Sequence, residues 1–196
     1  MYRKLKYKYF ILFFILQIVL LFALNFVHSF ISLKQTHNYI SNASVKYRAT
    51  LNTFQVLTDT FYDTQSKFIA STLSKITQNN ATQNNTLRNL LLDELNYFYI
   101  NEKLRNMEVF HIFEKDGKSF LRFHKQDKFG DKIYLQRYSI RNMRDKKIAQ
   151  AGLEIGVWKE SYRFQYPLFY NGEFVGMFEY GMGFEEIINE MKKFFG

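Results

Sequence analysis

Ionisable side chains that could bind a ligand concentrate in the stretch FLRFHKQDKFGD, residues 120–131. Arg122 and His124 project from the same face of a predicted strand, because successive side chains of a strand alternate between its two faces. Further along the chain, a predicted turn carries Glu154, and two predicted strands carry Arg163, Tyr166 and Glu179. If folding brings these groups together, guanidinium groups would bind a carboxylate through paired hydrogen bonds, with Tyr166 as an apolar wall. The pattern therefore predicts a site for a small, anionic molecule.

The same charges support a second interpretation. Arg122 could pair with Glu179 and Arg163 with Glu154 as internal ion pairs that organise the sheet. A ligand pocket and internal ion pairs are compatible with each other, and the sequence leaves both open.

Catalytic, metal and cofactor sites find little support in the residue types. Ser119 and Ser161 have only His111 and His124 as candidate bases, and neither serine has a nucleophile-elbow sequence. The four histidines lack metal-ligand spacing, and the chain has no cysteine and no glycine-rich phosphate loop. We therefore expect no catalytic residue, no metal ligand and no cofactor.

The N-terminus determines on which side of a membrane these residues would lie. MYRKLKYK, residues 1–8, carries four cations, and residues 9–30 carry no formal charge. An α-helix over this run spans roughly 33 Å, enough to cross the hydrocarbon core. A cleaved signal peptide would have a shorter apolar run. A buried core helix would rarely be apolar on all sides over this length. We predict a cytoplasmic tail at 1–8, a transmembrane helix at 9–31 and an extracytoplasmic remainder.

The net charge does not indicate nucleic-acid binding. The formal charge is +9, of which four units lie in the N-terminal tail, and acidic residues are interleaved with the remaining cations. Nucleic-acid binding usually needs cations clustered on one face. We expect the membrane, not a nucleic acid, to be the partner of the basic tail.

Two helices are predicted between residues 32 and 105. The first is a long stalk over 33–77, with apolar residues every three or four positions: Tyr47, Leu51, Phe54, Leu57, Phe61, Phe68, Leu73 and Ile76. A helix this long exceeds what one small domain can cover, so we predict a parallel homodimer along it. The alternative is a helix folded only onto its own domain. Thr86 is the predicted N-cap of a second helix that ends near Arg105.

The remainder has the pattern of an antiparallel sheet with helices at its side. Strands are predicted at 109–115 and 118–125 around Asp116-Gly117, and at 161–170 and 173–182 around Asn171-Gly172. A short helix is predicted at 135–145, a glycine-bracketed turn at 152–156, and an amphipathic exit helix from 184 to the C-terminus. The predicted fold class is α+β: a transmembrane helix, a long stalk helix and a sheet lobe.

In order along the chain, FLRFHKQDKFGD, Arg137, GLEIG, the Arg163-to-PLF run and EFVGMFEYG resemble the double-Cache (type 3) family. These are PAS-like extracytoplasmic sensor domains of bacterial chemoreceptors, sensor histidine kinases and diguanylate cyclases. The resemblance places a sensor lobe at 106–183 and adds Arg137 to the expected ligand-binding residues. It implies a periplasmic ligand-sensing input domain in the cytoplasmic membrane, with any enzymatic output lying C-terminal to this chain.

Departures from the family pattern leave the ligand unidentified. Gln126 stands where the family has a proline, Phe164 where it has a glycine, and Trp158-Lys159-Glu160 replaces a glycine-rich stretch. Only one sheet-bearing lobe is visible in the sequence. The alternative function is a membrane-anchored periplasmic module that binds another protein and takes no small molecule.

Overall fold

A computed structural model describes residues 2–77, 80–103, 109–155 and 160–195. The chain divides into two compact units, Met1–Arg48 and Ala49–Gly196. The long helix α1, Tyr2–Leu73, contributes to both.

The first unit consists of the N-terminal part of α1. Its apolar side chains from Phe10 to Ile31 are exposed, and α1 is long and apolar enough to cross a membrane. The residues predicted as span and stalk belong to one helix, α1, and no proline or glycine interrupts residues 9–73. Helix α1 ends at Leu73, four residues before the predicted end of the stalk at residue 77.

The second unit is built on a five-stranded antiparallel sheet in the order β2-β1-β5-β4-β3. The strands are β1 Val109–Glu114, β2 Ser119–Arg122, β3 Gln150–Ile155, β4 Glu160–Tyr170 and β5 Glu173–Gly183. The helices are α2 Ala81–Lys103, a 3₁₀ turn Ile133–Leu135, α3 Tyr138–Lys146 and α4 Phe184–Phe195. The predicted α+β class is confirmed.

Both predicted hairpin turns are present. Asn171 and Gly172 have φ of 49° and 81°, and Gly117 has φ of 86°, values that Asn and Gly adopt most readily. Strand β2 is shorter than predicted because the chain leaves the sheet after Arg122. The loop that follows comes back to the start of β2. There the Gly130 amide donates a hydrogen bond to the Ser119 carbonyl at 2.7 Å.

One face of the sheet packs on α1 and α2 through aromatic rings. Phe61 of α1 lies with its ring centroid 5.1 Å from Phe110, 5.4 Å from Phe178 and 5.3 Å from Tyr180. Phe54 is also buried, so the apolar stripe predicted along the stalk is used, from Ala49 onward, by the lobe of the same chain. This part of α1 therefore packs on the domain of its own chain.

Helix α2 begins six residues before the predicted position. The Asn80 side-chain oxygen accepts a hydrogen bond from the Gln83 amide at 3.0 Å, the geometry of an N-cap. Thr86 lies inside the helix and donates to the Thr82 carbonyl, so the N-cap prediction was wrong. Both residue types can cap, and only the fold selects between them. The predicted end at Arg105 lies outside the described residues.

The opposite face of the sheet packs on α3 and the 3₁₀ turn. Phe113, Ile140, Met143 and Met177 form a small buried cluster there. The segment predicted as a glycine-bracketed turn is instead the edge strand β3, paired with β4 from Gln150–Gln165 to Ile155–Glu160. Gly152 in this strand has open space where a Cβ would stand, so it imposes no turn. Gly156, the second glycine of the predicted turn, lies outside the described residues.

Helix α4 follows β5 directly, as predicted for the exit helix. Ile187 on its inner face is fully buried, whereas Phe184 is exposed. The helix is therefore amphipathic and packs one face on the sheet.

Candidate ligand-binding site

Glu179 is the centre of a polar network on the α3 side of the sheet. It lies on the middle strand β5 and is fully buried. Its carboxylate accepts hydrogen bonds from both Arg137 and Arg163, with Arg137 Nη1 at 3.1 Å from Oε1. The Gln165 side-chain amide donates to Oε2 at 2.6 Å. The buried charge thus has guanidinium and amide partners on three sides.

Opposite charges set the ionisation of this network. Burial by itself would raise the pKa of Glu179, but Arg137 and Arg163 outweigh burial and hold that pKa well below its usual range. Burial by itself would lower the pKa of Arg137, and Glu179 and Glu154 together raise it above its ordinary value. Glu179 and Arg137 are therefore both charged at neutral pH.

Glu154 on the edge strand β3 is the second acid of the network. It accepts from Arg137 Nε at 3.0 Å and from Ser139 Oγ at 2.8 Å, and Arg163 Nε lies 3.5 Å away. Arg137 and Arg163 therefore each lie between Glu154 and Glu179. Two cations and two anions make the network electrically neutral.

Amide side chains that the sequence interpretation missed complete the network. Gln150 donates to the Ser139 carbonyl at 2.7 Å and to the Gln165 side-chain oxygen at 2.5 Å. Asn142 of α3 donates to the Gln150 side-chain oxygen at 2.6 Å. Gln165 could have been found, because it lies two residues after Arg163 and hence on the same face of β4. Ser139, Asn142 and Gln150 had no comparable signal, since their placement depends on how α3 packs.

A cleft of about 280 Å³ opens beside this network. Its polar wall includes Ser139, Gln150, Glu154, Arg163 and Gln165. Its rim carries two apolar groups that are largely exposed, Tyr138 at 70% and Leu153 at 55%. The cleft thus offers charged, amide and apolar groups to a small molecule.

Arg122 and His124, expected in the same site, lie elsewhere. Arg122 makes a paired contact with Asp131 at 2.8 and 2.7 Å and donates to the Lys128 carbonyl at 2.6 Å. The hydrogen bond from Arg122 lowers the pKa of Asp131. The predicted Arg122–Glu179 pair is therefore wrong, because a loop residue nine positions away takes the guanidinium. His124 is exposed beyond the end of β2.

Tyr166 lies on the opposite face of β4 from Arg163 and Gln165. Its hydroxyl donates to Asp59 at 2.6 Å and lies 2.6 Å from Thr58 Oγ1, both on α1. Burial and the Asp59 carboxylate raise the pKa of Tyr166. Four of the seven predicted residues, Arg137, Glu154, Arg163 and Glu179, thus form the network, and three lie outside it.

The serine–histidine pair considered for catalysis is a buried hydrogen bond. Ser119 Oγ and His111 Nε2 are 2.8 Å apart, and both residues are buried. Burial lowers the pKa of His111 well below its ordinary value, so the ring is neutral. Among the residues that the structure describes, no group of three His, Asp or Glu side chains is placed to hold a metal ion.

The family to which the chain belongs follows from a match over most of its length. Residues 40–196 match the model of dCache_3, described as the double sensory domain of two-component sensor kinase. The chain belongs to this dCache_3 family. No curated protein is significantly similar to it in sequence.

Solved sensor domains share the dCache_3 fold of the chain at low identity. The ligand-binding domain of the Campylobacter jejuni chemoreceptor Tlp3, solved with L-valine, aligns with a TM-score of 0.54 and 17% identity. The sensor domain of the V. cholerae histidine kinase DctB aligns with a TM-score of 0.51 and 13% identity, over 81% of this chain and 61% of that one. The E. coli DcuS sensor domain aligns with a TM-score of 0.50 and 11% identity.

The extent of these alignments differs. The alignment with the Tlp3 domain includes 75% of this chain and 59% of that domain. The alignment with the DcuS domain includes 76% of this chain and 98% of that domain. The residues that the structure describes contain one five-stranded sheet. The described part of this dCache_3 chain therefore has one sheet-bearing lobe, whereas the family description names a double sensory domain.

Proposed function

We propose that the chain is the extracytoplasmic ligand-sensing input domain of a bacterial transmembrane signalling receptor. Its membership of a sensory-domain family and the candidate span in α1 support this role. The cations of residues 1–8 favour a cytoplasmic N-terminus and a periplasmic lobe. The division is then tail 1–8, span 9–31, helices 32–105, sensor lobe 106–183 and exit helix 184–196.

The proposed receptor is a parallel homodimer. Between the span and the lobe, α1 exposes the apolar side chains of Leu33, Tyr39, Ile40 and Val45. From Ala49 onward, α1 belongs to the same compact unit as the lobe. Leu33 and Ile40, seven residues apart, lie on the same face of the helix, and a second copy of the helix is the natural cover for such residues in water.

The proposed ligand is a small molecule with a carboxylate, bound in the cleft beside Arg163. The observation that carries this proposal is that Glu154 and the buried Glu179 share the same two arginines. The side chain of Glu154 is 20% exposed and that of Glu179 is fully buried. A ligand carboxylate could therefore replace Glu154 and release it to water while the charges inside stay balanced.

The position of Glu179 connects the cleft to the exit helix. Glu179 lies four residues before Gly183, where β5 ends and α4 begins. A ligand that draws Arg163 toward the cleft changes how Glu179 is held and so changes the packing of β5 and α4. The ligand shifts the receptor only by its difference in affinity for the two arrangements.

The test is isothermal titration of the full chain in lipid nanodiscs with a panel of organic acids, amines and amino acids. We expect heat from at least one carboxylate. Arg163→Lys keeps the charge but loses the planar fork, so it should weaken that binding by roughly tenfold or more. The matched control is Arg141→Lys, an exposed arginine on α3, which should bind as the unchanged chain does.

Two outcomes would count against this proposal. One is a panel that produces no heat although the chain is folded by circular dichroism. The other is a folded Arg163→Lys chain that binds with unchanged affinity.

A protein-binding module is the second candidate, and the edge strand β3 favours it. In the described sheet β3 has a neighbour on one side only, and its outward Leu153 and Ile155 are 55% and 82% exposed. Edge strands can accept a further strand from a partner. If this is the function, Ile155→Lys should abolish signalling in cells, whereas Arg163→Lys should leave signalling unchanged.

A further inference from the structure

A second cavity, of about 370 Å³, lies at the C-terminal end of α1. Its walls come from the last residues of α1, the turn between β1 and β2, and the hairpin between β4 and β5. None of the described residues that line it also lines the cleft beside Glu179. A molecule in this cavity would therefore make contacts of its own, apart from the arginine network.

Carboxylates dominate the charged wall of this cavity. Glu114, Asp116 and Glu173 line it, and Lys115 is the one cation among the described lining residues. Asp116 is already paired, because Lys118 Nζ lies 2.6 Å from its Oδ2. The carboxylates of Glu114 and Glu173 have no hydrogen bond or ion pair within the described part of the chain. Burial and the neighbouring Asp116 raise the pKa of Glu114, as expected for a carboxylate without a close cation.

The end of α1 adds negative potential from the backbone. The aligned peptide groups of a helix place roughly half a negative charge at its C-terminal end. Leu73, the last residue of α1, and Ser74 both line the cavity, and the last turn of α1 contains no basic side chain. The helix end therefore favours a cation at this place, independently of the three carboxylates.

The rest of the lining is apolar. Leu73 and Ile76 contribute aliphatic groups from the α1 side, and Tyr170 and Phe174 contribute rings from the hairpin. The end of α1 lies close to the sheet, because a Cβ at Gly176 would stand 2.6 Å from Leu73 Cδ1. Only glycine at this position leaves room for Leu73, so the cavity has a fixed apolar wall beside its charged one.

We propose that this cavity binds a small organic cation, an amine with an apolar body of a few carbon atoms. The ammonium group would donate hydrogen bonds to the Glu114 carboxylate, and the apolar body would contact Leu73, Ile76 and Tyr170. A metal ion fits less well, because no three acidic or histidine side chains of the described residues are placed to hold one. This inference goes beyond the proposed function and does not depend on it.

Isothermal titration of the full chain in nanodiscs of lipid without net charge tests this inference, with phenethylamine as the probe. The control molecule is phenethyl alcohol, which has the same apolar body and no charge, and empty nanodiscs correct for heat from the lipid. We expect phenethylamine to bind at least roughly tenfold more tightly than the alcohol, since hydrogen bonds to charged groups are the stronger ones. No binding of phenethylamine, or equal binding of both molecules, would overturn the inference.

Substitutions assign the binding to this cavity. Glu114→Gln keeps the shape of the side chain but removes its charge, so it should weaken phenethylamine binding roughly tenfold or more. Glu173→Gln, at an exposed position, should weaken it roughly threefold. The matched control is Glu185→Gln, an exposed acid on α4, which should bind as the unchanged chain does. A folded Glu114→Gln chain with unchanged affinity would overturn the inference, and if that variant fails to fold, unchanged affinity of Glu173→Gln would do so.

The same titrations separate this inference from the proposed function. Glu114→Gln should not alter the binding of a carboxylate in the cleft beside Glu179, and Arg163→Lys should not alter the binding of phenethylamine. Loss of phenethylamine binding in Arg163→Lys but not in Glu114→Gln would place the amine in that cleft and refute the second cavity as its site.

Discussion

The two faces of the sheet are stabilised by different physical effects. On the α1 side, Phe61, Phe110, Phe178 and Tyr180 are buried against one another, and their contribution comes from apolar surface removed from water. On the α3 side, the fully buried Glu179 is tolerated only because guanidinium groups balance its charge. Alternation along β5 allows one strand to serve both faces.

This difference indicates where a ligand can act. A packed aromatic face resists small changes, because any shift of a ring opens a void or a clash. A neutral ionic network can exchange one partner for another of the same charge. We therefore expect substitutions on the aromatic face to change stability, and substitutions on the polar face to change stability and ligand response together.

The largest loss of stability is expected for Phe61→Ala. Removing this fully buried ring should lower the free energy of unfolding by about 4 kcal/mol. The measurement is chemical denaturation of the full chain in detergent micelles, followed by near-ultraviolet circular dichroism. Val56→Ala, on the same helix and 63% exposed, should change it little. Equal effects of the two substitutions would contradict the aromatic core.

The next effect tests the polar face. Glu179→Gln should lower the free energy of unfolding by about 3 kcal/mol, because it leaves Arg137 and Arg163 with an uncompensated charge in a buried site. The control is Glu173→Gln, an exposed acid on the same strand. Adding Arg163→Met to Glu179→Gln should restore part of the loss. If the double variant were less stable than additivity predicts, the network would not be held by charge balance.

Acid should destabilise the fold in two steps. The folded-state pKa of His111 is depressed by burial below its ordinary 6.5, so its contribution is present above pH 6.5 and declines below it. The loss is up to about 1.4 kcal/mol per pH unit. The folded-state pKa of Glu179 is depressed by its arginines despite burial, so its contribution is present above the ordinary 4.5 and is lost at lower pH.

Unfolding measured at several pH values separates these steps. His111→Gln should flatten the decline between pH 6.5 and 5, whereas His37→Gln, exposed on α1, should not alter it. A slope that persists in folded His111→Gln would assign the first step to another group.

The smallest effect is expected at the loop after β2. The Arg88 guanidinium of α2 lies 3.6 Å from the Phe129 ring centroid, a cation–π contact. Phe129→Ala should lower the free energy of unfolding by about 1 kcal/mol. Leu135→Ala, similarly exposed in the nearby 3₁₀ turn, should lower it by less. The reverse order would mean that the contact does not stabilise the loop.

The structure brings four of the seven predicted site residues together and separates the other three, for reasons that particular residues show. Arg163 and Glu154 were identified as partners and lie 3.5 Å apart, because paired strands bring them together. Arg122 was assigned to Glu179, but Asp131 takes it through a loop whose path no local pattern specifies. Tyr166 was assigned to the cleft without regard to alternation, which places it on the α1 side beside Asp59.

The sequence alone determined the features that depend on neighbouring residues: the apolar run at the start of α1, the Asn171-Gly172 hairpin with its positive φ angles, and the amphipathic α4. These follow from backbone preference and side-chain periodicity, which act within a few residues. The tertiary structure alone decided that β3 is a strand, that Asn80 caps α2 and that both arginines converge on Glu179. Each of those outcomes is a choice among equally suitable groups, and it is settled by strand register and by the requirement that a buried charge find a partner.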